Sequence, residues 1–285
     1  MTGTLLSLGH GYSARALGAR LIADGWRVLG TTRNPATARA LRAAGVEPVL
    51  WPDEVAAAIG AATHLLTSIA PDAAGDPVLR AFGPALGAHR WAWVGYLSTT
   101  GVYGDRQGGW VDETTPPAAG RGRSQARVQA EAAWLATGMP VHVFRLAGIY
   151  GPGRSALDRL RDGTARRIVK PGQIFSRIHV EDIARVLRAS IDRPNPGAIY
   201  NVCDDEPAPA EDVIAHAAAL LGLPPPPAVP WDQADLSPMA RSFYQESRRV
   251  RNDRIRGELG VTLAYPSYRQ GLAAILAQEN PAAAG

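Results

Sequence analysis

The sequence predicts an α/β protein, a doubly wound parallel sheet with a small C-terminal substrate subdomain, and three observations predict it. Short apolar runs alternate with Ala-rich helical segments through residue 150, as βαβ units feeding a parallel sheet require. A glycine turn, Gly9-x-Gly11-x-x-Ala14, stands between the first apolar run and the first helix. Beyond residue 151 the alternation loosens and a stiff Pro224 to Pro227 run appears, which sets off a second, smaller part.

Taken in order, the apolar run 4–8 is the first strand and the Ala- and Leu-rich stretch down to Asp24-Gly25 the first helix. Between them Gly9 allows a tight turn and Gly11 lets the backbone approach a diphosphate. Ala14 lets the helix sit close on the strand, and Tyr12 and Ser13 open the helix with free N–H groups at its positive end. Glycine pairs at strand-helix turns also occur for steric reasons alone. The second run, 26–30, ends in Thr31-Thr32-Arg33-Asn34, where an NAD site usually carries an acid for the ribose 2′-hydroxyl. Arg33 and the Thr31 and Thr32 hydroxyls suit a 2′-phosphate through charge-assisted hydrogen bonds, so NADP is favoured and NAD stays possible.

Helices are then expected near 35–44 and 53–59, with strands near 46–50 and 63–69. The latter breaks at Ala70-Pro71, at a strand end that lines the ligand crevice of a doubly wound sheet. A helix around 78–86 leads to the most apolar run, 91–97, whose exit is Ser98-Thr99-Thr100-Gly101-Val102-Tyr103-Gly104. Residues 105–122, rich in Gly and Pro, form a long loop over the site or a flexible excursion. A helix over 123–137 closes at Gly138 before a sixth strand, 141–146. Past the turn-rich exit at 147–153 come helices near 156–162, 180–191, 209–221 and 268–278 and strands near 173–178 and 198–202. The domains are therefore 1–150 for cofactor, its sheet completed by segments within 173–205, and 151–285 mainly for substrate.

With 285 residues, 46% hydrophobic and 20% charged, the chain can bury a sizeable core. No apolar run is long enough to span a bilayer and no signal-like segment opens the chain, so a cytoplasmic protein without membrane contact is expected. Cys203 is the only cysteine, which excludes internal disulfides and cysteine-cluster metal sites, and no metal is expected. The net charge of +4 comes almost wholly from arginine, Lys170 being the sole lysine. These arginines are spread along the chain with no basic helix or finger spacing, so nucleic acid is not an expected partner; a small-molecule substrate is, and a homodimer is compatible.

Five ordered segments complete the picture: the glycine turn, Ser98-Thr99-Thr100-Gly101-Val102-Tyr103-Gly104, Arg145-Leu146-Ala147-Gly148-Ile149-Tyr150-Gly151-Pro152-Gly153, Arg177-Ile178-His179-Val180-Glu181-Asp182-Ile183 and Tyr200-Asn201-Val202. Together they resemble the extended short-chain dehydrogenase/reductase superfamily, of the NAD-dependent epimerase/dehydratase type, in an atypical branch. The resemblance spans nearly the whole chain and implies a Rossmann domain for a nicotinamide dinucleotide. It also implies that Thr99 bonds the reacting substrate oxygen, that Gly9, Gly11 and Ala14 form the phosphate loop, and that Ala70 lies beside the cofactor ribose. His179 and Asp182 match a segment returning to the crevice, where a structural role is equally open.

Redox members of that superfamily carry Tyr-x-x-x-Lys on the helix after the Thr99 strand, and counting back from Ala130-Glu131 places Arg123 and Arg127 there. Arginine stays protonated, so Arg123 cannot exchange a proton as a phenol does, while Arg127 can still hold ribose hydroxyls or supply charge. Tyr103 is then the nearest candidate acid and Tyr150 the second, each also readable as a partly buried aromatic. His10 matters through its backbone N–H more than its ring, and His142 reads as a satisfied core residue. Arg241, Tyr244, Arg248, Arg249 and Asn252 could grip an anion or form a solvated face. Two functions follow: an NADP-preferring oxidoreductase or epimerase-like enzyme using Thr99, Tyr103 and Arg127, or an inactive NADP(H)-binding sensor.

Overall fold

The computed structural model describes residues 2–120 and 122–279; Met1, Arg121 and residues 280–285, the outermost parts of the expected domain ranges among them, lie outside the described residues. Seven strands form one parallel sheet: β1 (Thr4–Leu8), β2 (Arg27–Thr32), β3 (Glu47–Leu50), β4 (His64–Thr67), β5 (Trp93–Thr99), β6 (Val141–Leu146) and β7 (Ile199–Val202). Their order is β7-β6-β5-β4-β1-β2-β3. Chain direction across the sheet reverses between β1 and β4, and in such a sheet ligands bind beyond the carboxyl ends of the strands at that point.

Both faces are covered, which is why the strands read as continuous apolar runs. On one face lie α1 (Tyr12–Ala23), α2 (Pro35–Ala43) and α7 (Val180–Asp192), contributing Leu17, Leu21, Leu41, Ile183 and Leu187 to the core. Each such side chain adds about 1.5–3 kcal/mol when removed from water. The other face holds α3 (Val55–Ala61), α4 (Pro77–Ala88) and α5 (Arg123–Leu135), through Val55, Ile59, Val78, Leu86 and Trp134. Asp76 joins two of these helices. One of its oxygens caps α4 by accepting from Val78 and Leu79 N–H at 2.9 and 3.1 Å, and the other accepts from the Trp134 indole at 3.0 Å.

A third core joins α6 (Ala156–Arg161), α8 (Ala210–Leu220) and α11 (Tyr268–Glu279) around Leu157, Ile214, Tyr268 and Leu272. Asp182 ties α7 to the approach to α11: fully buried, it accepts from Ala264 and Tyr265 N–H at 2.7 and 2.9 Å. That is a clamp between segments rather than a group facing ligand. Two short helices, α9 (Pro238–Phe243) and α10 (Asp253–Gly257), complete the C-terminal part.

Several boundaries differ from the sequence expectation. The most apolar run starts as a strand only at Trp93 and continues through Thr99, because its partner β6 supplies ladder positions up to Leu146. Residues 105–120 are neither a free excursion nor a featureless loop. Trp110–Val111 pairs in parallel with Arg249–Val250, and Asp105 accepts from Ser247 N–H at 2.8 Å. Past the proline run, Ala228–Pro230 pairs with Arg167–Val169, a strand pair the sequence did not suggest. No helix among the described residues is long and apolar enough to cross a membrane.

Candidate functional site

The turn after β1 is built around Gly9, whose φ of +80° only glycine adopts easily. A Cβ there would come within 2.9 Å of Ile69 Cγ1 and Ser68 Oγ. The turn is held from both sides: Gly9 N–H donates to Thr31 Oγ1 at 2.8 Å and the Ser68 hydroxyl donates to Gly9 O. Gly11 is different, since its Cβ would meet only Gly9 O at 3.8 Å, so its outer side is open to a ligand. Helix α1 starts there with no side-chain cap and no acid in its first turn, a feature it shares with α3 and α5; what sets it apart is that its start follows the open Gly11 at the strand ends. Uncapped N–H groups of Tyr12, Ser13 and Ala14 with a positive dipole end behind them are of a kind that can hold an anion. The Tyr12 hydroxyl donates to Pro152 O at 3.0 Å and so ties this helix start to the 151–154 turn.

His10 lies under the turn. A methyl on Gly18 would reach 2.9 Å from its Cε1, and one on Gly30 2.9 Å from its Cγ. Burial, reinforced by Arg15, lowers its pKa to about 4, so the ring is neutral and serves as packing between α1 and β2. The ring therefore matters more than the sequence suggested.

At the end of β2, Thr32 is turned inward on itself, its hydroxyl donating to Asn34 O at 3.2 Å and accepting from Asn34 N–H at 3.1 Å. Arg33 is exposed and has no intramolecular hydrogen bond or ion pair among the described residues. Its guanidinium is free for a ligand.

Beyond β4 and β5 a cleft of about 1250 Å³ opens between the sheet edge and the C-terminal part. Ala70, Thr99 and Arg127 line it together, as does Arg123. Thr99 Oγ1 accepts from Gly101 N–H at 3.1 Å, which leaves its own proton free to donate into the cleft. Arg127 is fixed on the strand edge by donating one nitrogen to Tyr96 OH at 2.9 Å and Leu97 O at 2.8 Å. Its remaining nitrogens are uncommitted. Helix α5 sets Arg123 one turn before Arg127 on the same face.

Tyr103 corrects an expectation. It is fully buried and does not line the cleft, because its hydroxyl donates to Asn201 Oδ1 at 2.7 Å and accepts from Arg145 Nη1 at 3.0 Å. Arg145 in turn pairs with Glu131 at 2.8 Å, both nearly inaccessible, and Ser98 donates to the same carboxylate. Burial raises the Tyr103 pKa against the opposing pull of Arg145. A phenol so placed is a structural link behind the crevice and delivers no proton into it.

Tyr150 does line the cleft, with its hydroxyl donating to Ser267 O at 3.3 Å, but desolvation and the nearby Asp204 push its pKa far up. His179 caps α7, accepting at Nδ1 from Glu181 N–H at 3.3 Å, between the rings of Tyr150 and Tyr265. His142 is a satisfied core residue: Nε2 accepts from Asn195 N–H at 2.8 Å, so the proton sits on Nδ1 and faces Val94 O. Of the five C-terminal anion candidates, Tyr244 and Arg248 reach the cleft. Asn252 is buried against Cys203 O and Asp205, Arg249 donates to Gly108 O, and Arg241 donates to Ala234 O.

No family model matches the chain. Protein YeeZ of Escherichia coli K12 is 32% identical over 240 residues, 77% of this chain and 84% of that protein. The chain belongs to the YeeZ family. A functionally unknown conserved protein from Silicibacter pomeroyi is 61% identical, with a TM-score of 0.94 over 97% of this chain and 99% of that one. A putative NAD-dependent epimerase/dehydratase from Methylobacillus flagellatus is 28% identical, with a TM-score of 0.76 over 98% and 100%. The fold of this YeeZ-family chain is thus that of epimerase/dehydratase proteins, in keeping with the extended short-chain dehydrogenase/reductase superfamily.

What sequence reading missed was the Glu131–Arg145–Tyr103–Asn201 network. One signal was available: Arg145 sits inside a strand that is apolar but for His142, and a charge in a strand buried on both faces requires a buried partner. The apolar side of the cleft, Met239 and Phe243, gave no comparable signal.

Proposed function

We propose that the protein binds a nicotinamide dinucleotide, NADP in preference to NAD, and oxidises, reduces or epimerises a small polar substrate held in the cleft. The observation that carries this reading is the turn at Gly9 and Gly11, left-handed and packed at the first glycine, open at the second, with an uncapped helix behind it. Gly9, Gly11, Tyr12, Ser13 and Ala14 would hold the diphosphate, Arg33 the adenosine-side phosphate, and Ala70 and Arg127 the nicotinamide half; the Thr32 hydroxyl, expected to share the phosphate, has its proton committed to Asn34 O. When bound, the nicotinamide supplies reversible hydride exchange with a substrate carbon.

The chain's own contribution is orientation and charge. Thr99 donates its free proton to the reacting oxygen, and Arg127 places a permanent positive charge beside it, a form of stabilisation that needs no proton transfer. Neither arginine releases a proton, and Tyr103 is sealed in the core, so on this reading the proton comes from water in the cleft.

A calorimetric titration tests the reading: NADPH is expected to bind at least about tenfold more tightly than NADH, the value of one charge-assisted contact. Binding of neither nucleotide would overturn it. The burial of Tyr103, together with Arg123 and Arg127 on the cleft face, favours a second reading, a sensor of the NADP/NADPH ratio without turnover. Tight NADPH binding with no oxidation across a broad panel of carbonyl compounds and sugar nucleotides would select the sensor.

A further inference from the structure

The charges and apolar surface of the cleft narrow the substrate class, an inference that rests on the reading above. Six arginines and three carboxylates line it. The carboxylates are all engaged: Asp158 accepts from Ser155 N–H and hydroxyl at 2.7 and 2.6 Å, Asp162 from the Thr164 hydroxyl at 2.6 Å, and Glu246 pairs with Arg248 at 2.8 Å. Arg127 is held by Leu97 O and Tyr96, and Arg177 donates to Phe175 O and Ala208 O at 2.9 Å. Arg123, Arg154 and Arg159 make no side-chain hydrogen bond or ion pair among the described residues. Six arginines against three carboxylates leave the charge of the cleft positive on balance.

Part of the lining is apolar. Helix α9 presents Met239 and Phe243, one turn apart and each 58% exposed, and both line the cleft. Large apolar side chains left this open inside a concave site are surface awaiting a ligand. The guanidinium of Arg123 lies over the Phe243 ring, 5.8 Å from its centroid, a cation–π contact that puts the positive charge and the apolar ring side by side and leaves the guanidinium N–H groups without hydrogen-bond partners among the described residues.

We propose that the cleft takes an aromatic carboxylate, its flat apolar body lying on Phe243 and Met239 and its anionic end meeting Arg123. A sugar would leave the α9 face in water, and a neutral aromatic would leave the arginine unpaired; a flat acid satisfies both.

The test uses the full chain, with 2-naphthoate as probe and 2-naphthamide as its neutral isostere, titrated calorimetrically with and without NADP. The acid is expected to bind at least tenfold more tightly than the amide. Arg123→Gln should erase that difference while leaving the amide unchanged, and Phe243→Ala should weaken both by about tenfold. Both residues are exposed, so unchanged melting temperatures establish that the variants fold. Equal binding of acid and amide, no detectable naphthoate binding, or tighter binding of uridine monophosphate or inorganic phosphate than of naphthoate would each overturn the proposal. NADPH titration on the same sample separates the two ideas: naphthoate binding without nucleotide binding sinks the dinucleotide reading and leaves the aromatic-acid site standing.

Discussion

Two stretches of the same sheet edge treat their polar groups in opposite ways. After β1 and β2 the chain leaves donors free: α1 is uncapped, Gly11 is open on its outer side, and Arg33 has no partner among the described residues. After β5 and β6 it ties them up, with Ser98, Tyr103, Glu131, Arg145 and Asn201 joined in one buried network and only Thr99 and the arginines of α5 facing out. Free donors in a rigid turn make a binding site, because a ligand meets no internal competitor. Hydrogen-bonded groups behind a crevice make a support, because each holds its neighbour in place; in this one Asn201 uses its Oδ1, while its Nδ2 finds no partner among the described residues. The difference teaches where to look for chemistry: in the few groups of the second stretch that the network does not claim.

Breaking the support should give the largest effect. Arg145→Met leaves Glu131 buried and unpaired, which costs about 3–5 kcal/mol and should lower the melting temperature by roughly ten degrees or more. Combining it with Glu131→Leu should recover much of that loss, since an apolar pair of similar volume replaces the ion pair. A melting curve of Arg145→Met that overlays the parent would show the network to be incidental. Next in size is Thr99→Val, which removes the free hydroxyl proton at nearly constant volume. If the hydroxyl has the substrate role proposed above, turnover should fall by about 10²-fold with NADPH affinity unchanged. Unaltered steady-state rates would remove Thr99 from the chemistry.

Much of the conformation of the first stretch was legible in the sequence because its physics is local. A tight turn at Gly9, an approach at Gly11 and an uncapped helix are set by residues within six positions of each other, and the order of apolar runs gave the sheet around them. The support was not legible, because its pairings span separations such as Tyr103 to Asn201 and Ser98 to Glu131, which only the packed sheet brings together. Tyr103 illustrates the failure: its place after β5 suggested the crevice, but the short 3₁₀ turn over Thr100–Tyr103 rotates it into the core. The lining of the cleft by α9 was equally hidden, since that segment returns from far along the chain past a proline-rich stretch.

Arg33 sharpens the comparison at the binding end. If its free guanidinium meets a 2′-phosphate, Arg33→Ala should raise the NADPH dissociation constant by about 10- to 100-fold, the range of one or two charge-assisted bonds. NADH affinity should stay the same, and the loss should shrink as salt rises. Equal loss for both nucleotides in parallel titrations would instead assign Arg33 to a general role.

The smallest effect probes how well the turn is sealed underneath. His10 and His179 both have pKa values lowered to about 4, in each case mainly by burial, from an ordinary value of 6.5. The unfolded chain therefore takes up protons on these rings below pH 6.5, while the folded chain refuses them until about pH 4. Stability is full above pH 6.5 and falls as pH drops through that window, by about 1.4 kcal/mol per pH unit for each sealed ring at the steepest. Between pH 7 and pH 5 each ring should cost about 1–2 kcal/mol, read as a lower denaturant midpoint with an unchanged slope. His10→Asn should flatten its share of that dependence. Because His64 is lowered to about 4 in the same way and the buried acids Glu113, Asp182 and Asp204 are shifted up, the comparison that isolates His10 is parent against His10→Asn: a difference between them that stays constant from pH 7 to pH 5 would mean that water reaches the ring beneath Gly9.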